Sequence, residues 1–157
     1  MRYAALLGVV LFTFGLCAVV CAEGAPAPLA MNVKALGGGR LNEFTDGVYG
    51  GTGTNNIGLL VKTWGRVTYV DSTNKFFYID DGSGRVDGSS HLVAGVPVNN
   101  VGVRVSYDNL ASGNSIDPPA ETTYVAVTGI ISTVMINAGG VDRVQPNLRP
   151  RRQTDIQ

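Results

Sequence analysis

The sequence predicts an all-β domain, a small curved barrel of five strands preceded by an export segment and a Gly-rich strip. Two long runs, residues 57–70 and 123–134, alternate with the two-residue period of a half-buried strand, and each contains one glycine, Gly65 and Gly129. Glycine fills 21 of 157 positions, well above the usual share of about 7%, while only 15% of residues are charged against about 25% in an ordinary soluble protein. A chain so poor in Glu, Gln and Lys is badly supplied for helices. Pro118-Pro119 in the polar stretch 109–122 forbids a long helix there as well.

Along the chain, residues 1–22 have the form of a signal peptide. Arg2 supplies a positive charge, an apolar run extends from Ala4 to Val20, and Val20-Cys21-Ala22 ends in a small residue before Glu23. Cleavage after Ala22 is the preferred reading, with a retained N-terminal anchor as the alternative. Lipidation does not fit, because Leu16 and Val20 precede the two cysteines. Cys17 and Cys21 both lie in this segment, so a cleaved chain would hold no disulfide, thiolate metal site or catalytic Cys. The implied location is extracellular or cell-surface, or the periplasm.

Residues 23–56 read as a Pro/Gly-rich linker and strip. Pro26 and Pro28 stand among alanines, and the glycine clusters that follow are interleaved with Leu36, Leu41, Phe44, Val48 and Tyr49. Pure linkers seldom carry such residues, so the strip is expected to lie extended against the barrel or a neighbouring molecule; a mobile tether is the competing reading.

The domain proper spans residues 57–149, with a polar tail at 150–157. In the first strand Leu59, Val61, Thr63, Val67 and Tyr69 share one face, and Leu60, Lys62, Trp64, Arg66 and Thr68 the other. Residues 71–74 supply turn chemistry into a second strand, where Phe77 and Ile79 oppose Phe76 and Tyr78. A loop of some twenty residues follows, with a short strand at most near His91. Residues 101–107 alternate again, placing Val103, Val105 and Tyr107 against Arg104 and Ser106. The glycine-broken run at 123–134 is the fourth strand. Gly139-Gly140 then turns the chain into a fifth at 141–148.

The strings Val61-Lys62-Thr63-Trp64-Gly65-Arg66-Val67-Thr68, Phe76-Phe77-Tyr78-Ile79-Asp80-Asp81-Gly82-Ser83-Gly84 and Tyr124-Val125-Ala126-Val127-Thr128-Gly129-Ile130-Ile131, in this order, resemble the OB fold. The branch they are most similar to is that of the anticodon-binding domains. There a Gly-x-Val step in the first strand precedes a hairpin into an Asp-Gly-x-Gly turn, and a comparable step lies in the fourth. The family runs directly from that turn into its third strand, whereas here a long loop intervenes. A Pro-Pro loop also stands where the family commonly has a helix. The resemblance implies an OB-type Greek-key barrel with its ligand on the face of strands one to three.

Alternation then assigns Lys62, Trp64, Arg66, Phe76, Tyr78, Arg104 and Ser106 to the outer face. Three aromatic rings beside three cations have the composition of a stacking platform for single-stranded nucleic acid or an oligosaccharide. Burial of these rings under a loop is the competing reading. The charge balance, 12 basic against 12 acidic residues, excludes a polybasic nucleic-acid neutraliser and an acidic tail. The alternative to polymer binding is a structural surface protein that self-associates, or binds another protein, through its Gly-rich segment. No cofactor is implied. Asp80, Asp81 and Asp87 invite a Ca²⁺ reading but lack EF-hand spacing, so no metal is assigned. His91, the only histidine, reads as a solvated loop residue, and Arg149, Arg151 and Arg152 as a solvated tail. Catalytic motifs are missing, and alternation sends Asp80 and Asp81 to opposite faces; the expectation is a protein that is not an enzyme.

Overall fold

The computed structural model describes residues 26–157; the segment 1–22, expected to be a signal peptide, lies outside them. The chain is all-β. Its strands are β1 (Leu29–Ala30), β2 (Leu60–Asp71), β3 (Phe76–Asp80), β4 (Val86–Val93), β5 (Val96–Val101), β6 (Val103–Ser106), β7 (Tyr124–Ala138) and β8 (Val141–Arg149), with one-turn 3₁₀ helices at Val33–Ala35 and Gln153–Asp155. Among the described residues no helix is long and apolar enough to cross a membrane.

Five strands close into a ring, β2-β3-β6-β8-β7, because β7 also pairs with β2. All pairs in the ring are antiparallel except β6–β8. The two longest strands each serve two neighbours. β2 pairs with β7 from Leu60 to Arg66 and with β3 from Arg66 to Asp71. β7 pairs with β2 up to Ile130 and with β8 from Ile130 onward. The changeover follows Gly65 in one and Gly129 in the other, and the cause is proximity of backbone. A Cβ on Gly65 would stand 2.7 Å from the Asp80 carbonyl, and one on Gly129 2.7 Å from the Arg149 oxygen.

The interior is filled by Val61, Val67, Phe77, Ile79, Val103, Val105, Val127, Ile131 and Leu148, joined by Val33, Leu36, Tyr107 and Ile116 from outside the ring. Two inward assignments are corrected. Leu59 precedes the first ladder residue and is exposed. Tyr69 faces outward, because the register slips between Val67 and Tyr69 and the bulge inverts the alternation, bringing Val70 toward the core instead.

The Gly-rich segment is folded rather than extended. β1 lies parallel beside Val61 and Lys62, and the Val33 N–H donates to Asp81 Oδ2 at 2.8 Å. Val33 and Leu36 are fully buried, which stabilises the attachment by roughly 1.5–3 kcal/mol each. Buried Asn56 holds the segment's two ends together: its Oδ1 accepts from the Gly37 N–H at 2.7 Å, and its Nδ2 donates to the Ala35 carbonyl at 2.8 Å. Gly38, Gly47 and Gly51 pack backbone against backbone, leaving no room for a Cβ. The Tyr49 N–H donates to the Val144 carbonyl, and Arg143 stacks on the Tyr49 ring at 4.2 Å.

The expected loop after residue 84 is instead the β4–β5 hairpin, a second, two-stranded sheet. It folds over the outer surface of the ring, where it decides which side chains reach solvent.

Candidate functional site

The predicted platform is divided. Trp64 and Arg66 are exposed on β2, with Trp64 at 52%. Phe76, at 8%, and Tyr78, at 0%, point outward from β3 as alternation requires but are buried, which corrects their placement on an open face. Tyr78 is covered by the β4–β5 hairpin, whose Asp87 and Ser89 meet its hydroxyl, and Phe76 is enclosed by Arg104, Tyr69 and Tyr78. Arg104 lies directly opposite Tyr78 and stacks its guanidinium 3.6 Å from the centre of the Phe76 ring. Its Nε donates to Ser106 Oγ at 3.2 Å. Arg104, Phe76 and Tyr78 are thus committed to one another. Lys62 is half-buried, with its ammonium donating to Gln157 Oε1 at 2.8 Å.

The hairpin is held down by polar chemistry. Asp87, Ser89 and His91 recur at every second position of β4 and point toward the ring. The Tyr78 hydroxyl donates to Asp87 Oδ2 at 2.5 Å and stands 3.0 Å from Ser89 Oγ. Asp87 Oδ1 accepts from the Ser89 N–H and hydroxyl. Asn100 Nδ2 donates to Ser89 Oγ at 2.7 Å, and its Oδ1 lies 2.7 Å from His91 Nδ1. The His91 ring stacks on Tyr69 at 4.1 Å, which corrects its reading as a solvated loop residue. Burial, followed by the Asp87 charge, pushes the Tyr78 hydroxyl well above the usual tyrosine range, so it stays a donor across the physiological range.

What remains open lies at the other side of β2. Arg66 pairs with Tyr124 and Trp64 with Ala126 across the β2–β7 ladder. Trp64 and Tyr124 are therefore diagonal neighbours on one outer face, roughly 7–8 Å apart in such a ladder. Tyr124 is 80% exposed. The two rings, with Gly65, Arg66, Asp80, Asp81 and Gly82, line a cleft of about 270 Å³. Asp81 stands past the end of β3, where strand alternation no longer applies, and the turn brings both carboxylates to this one cleft. Asp80 accepts from the Gly82 and Gly84 N–H groups, Asp81 from those of Val33 and Ser83. Burial raises the Asp81 pKa, but the Ser83 side chain and the Val33 and Ser83 N–H bonds outweigh it. The net shift is downward, and the group is ionised at neutral pH.

Sequence patterning alone does not single out Tyr124. Its alternation within the fourth strand is visible, but which strand lies beside it is not. Among the described residues no cluster of His, Cys, Asp and Glu suits a metal ion. Arg149 pairs with Asp108 at 3.1 Å and Arg151 with Asp155 at 3.2 Å, so two of the three tail arginines are engaged. Searches against protein-family models, curated proteins and solved structures find no match.

Proposed function

We propose that the protein is a non-catalytic binding module for an extended polymer, which it holds by stacking on Trp64 and Tyr124. The observation that carries this is the pair of exposed rings on adjacent strands, flanking a cleft that offers one guanidinium and two carboxylates. The ring order β2-β3-β6-β8-β7, with its single parallel pair, supports an OB-type reading of the barrel. In that topology the expected ligand face lies on the first three ring strands, β2, β3 and β6. Here the β4–β5 hairpin is inserted between β3 and β6 in sequence and covers the β3 part of that face at Tyr78. Recognition is therefore displaced to the β2–β7 edge.

A saccharide chain fits this cleft better than a nucleic acid. Two carboxylates repel phosphate, and the balanced charge of the chain offers little neutralisation of a phosphate backbone. The same carboxylates are acceptors for sugar hydroxyls, while the rings supply apolar faces for pyranose stacking.

Trp64 is the single tryptophan, so its emission reports on the site directly. Titration with neutral oligosaccharides should quench or shift that emission with little dependence on salt. Replacing Tyr124 by Ala should weaken binding roughly 5–100-fold, on the scale of the roughly 1–3 kcal/mol that one ring contributes when a base stacks on it. An unchanged spectrum with every saccharide and oligonucleotide would end the proposal; a strongly salt-dependent response to oligonucleotides alone would replace the ligand class.

A further inference from the structure

Away from the aromatic cleft, the molecule carries two uncharged apolar features at opposite ends of β2. The first is the tip of the β4–β5 hairpin. Residues 92–98, Leu-Val-Ala-Gly-Val-Pro-Val, contain no polar side chain, and no Lys, Arg, Asp or Glu occurs between Asp87 and Arg104. Leu92 is 71% and Val96 62% exposed, with Val93 and Val98 also open. The tip lies beyond His91, whose ring rests on Tyr69 near the C-terminal end of β2. The second feature is a groove of about 330 Å³ lined by Leu29, Met31, Ala35 and Leu59 with a rim of Thr52 and Asn55. Leu29 pairs beside Val61 and Leu59 precedes Leu60, so the groove sits at the N-terminal end of the same strand. Some nine residues of β2 separate the two, about 30 Å of extended chain.

We propose that the hairpin tip of one copy seats in the Leu29–Leu59 groove of the next, giving head-to-tail association. A knob and a cleft at opposite ends of one strand cannot meet within a single chain, yet each supplies what the other lacks. Neither carries a charge that burial would strand. Joining a tip to a groove is a heterologous contact, which closes into a ring or grows as a filament. Pro97 removes a donor from the β5 edge, so side-chain insertion rather than strand addition makes the joint. An anionic membrane is the poorer occupant, because no Lys or Arg occurs between Asp87 and Arg104 to meet its charge. This inference is independent of the aromatic cleft.

The test is sedimentation velocity on the purified chain, its first residue established by intact mass, over a hundredfold concentration range. The unaltered protein should form species larger than dimer. Val96→Lys, which alters only the knob, and Leu59→Lys, which alters only the groove, should each shift half-association upward at least tenfold. An equal mixture of the two variants should recover association, but only to a one-to-one dimer, since one competent knob and one competent groove remain. That rescue also shows that both variants are folded. A strictly monomeric unaltered protein would overturn the proposal. So would a mixture that fails to pair, or a dimer abolished by Val96→Lys and untouched by Leu59→Lys, which would make the contact a symmetric one between tips.

Discussion

Replacing Tyr78 by Phe removes one hydroxyl from beneath the β4–β5 hairpin and keeps the ring. The hydroxyl donates at 2.5 Å to Oδ2 of Asp87, a residue only 4% exposed. The remaining bonds to Asp87, from the Ser89 N–H and hydroxyl, both go to Oδ1. Oδ2 is therefore left buried without its donor. A hydrogen bond to a charged group contributes about 1.5–3 kcal/mol, and a stranded buried acceptor places the cost at the upper end of that range. Since 1.4 kcal/mol is a factor of ten, the amides of β4 and β5 should exchange with deuterium roughly 10–100-fold faster, while those of β7 and β8 change far less. The effect should also disappear at high pH. The pKa of Tyr78 is raised in the folded protein, so its contribution is complete below the ordinary tyrosine value of about 10 and is lost as pH rises from there through the higher folded value. Stability curves of the variant and the unaltered protein should converge over that interval. Hairpin exchange within a factor of three of the unaltered protein at neutral pH would refute the assignment of Tyr78 as the clamp.

Gly129→Ala should lower stability by about 1–3 kcal/mol in urea unfolding, because the new methyl meets the Arg149 and Pro150 backbone, which no rotamer change can relieve. Asn56→Ala should cost about 2–3 kcal/mol and expose residues 36–56 to limited proteolysis, since it strands the Gly37 N–H and the Ala35 carbonyl.

Three ring strands were legible by alternation, the Phe76–Asp80 strand by its aromatic run after turn residues and the last by the Gly139-Gly140 turn before it. The hinge glycines were legible because a glycine that interrupts a long alternating strand marks a bend or a close backbone approach. The inversion at Tyr69 was hidden, since a bulge leaves the residue pattern unchanged and only shifts the pairing. The β4–β5 hairpin was missed for a different reason. Its inner face carries Asp87, Ser89 and His91, so its period of two runs in polar residues and looks like a loop. That misreading propagated to the site. Burial of the rings under a loop stood as the competing reading, but without the hairpin Phe76, Tyr78 and Arg104 were assigned to an open face, although their outward direction was right. Tyr124 escaped because its partnership with Trp64 exists only across the β2–β7 ladder, which joins residues some sixty positions apart.

If the hairpin is an insertion laid over a complete barrel, the barrel should survive without it. No residue between Val86 and Val101 belongs to the core cluster, and the Gly102 N–H already donates to the Arg85 carbonyl at 2.7 Å. The chain ends that excision would leave are thus already in contact, and a short glycine turn can join them. The shortened protein should keep a cooperative unfolding transition, at reduced stability, because Tyr78 loses the Asp87 and Ser89 contacts that cover it. Exposure of that ring beside Phe76, Arg104 and Tyr69 would assemble on β2, β3 and β6 the aromatic and cationic face that the sequence pattern describes. Binding of an apolar dye and the ultraviolet absorbance of the newly solvated tyrosine measure that exposure. Head-to-tail association should vanish with the tip, while the Trp64 response to saccharide persists, because the β2–β7 cleft receives nothing from the hairpin. A shortened chain that loses its cooperative transition would show instead that the hairpin is part of the folding unit. The buried Asp87 network would then be a condition of the barrel rather than a clamp upon it.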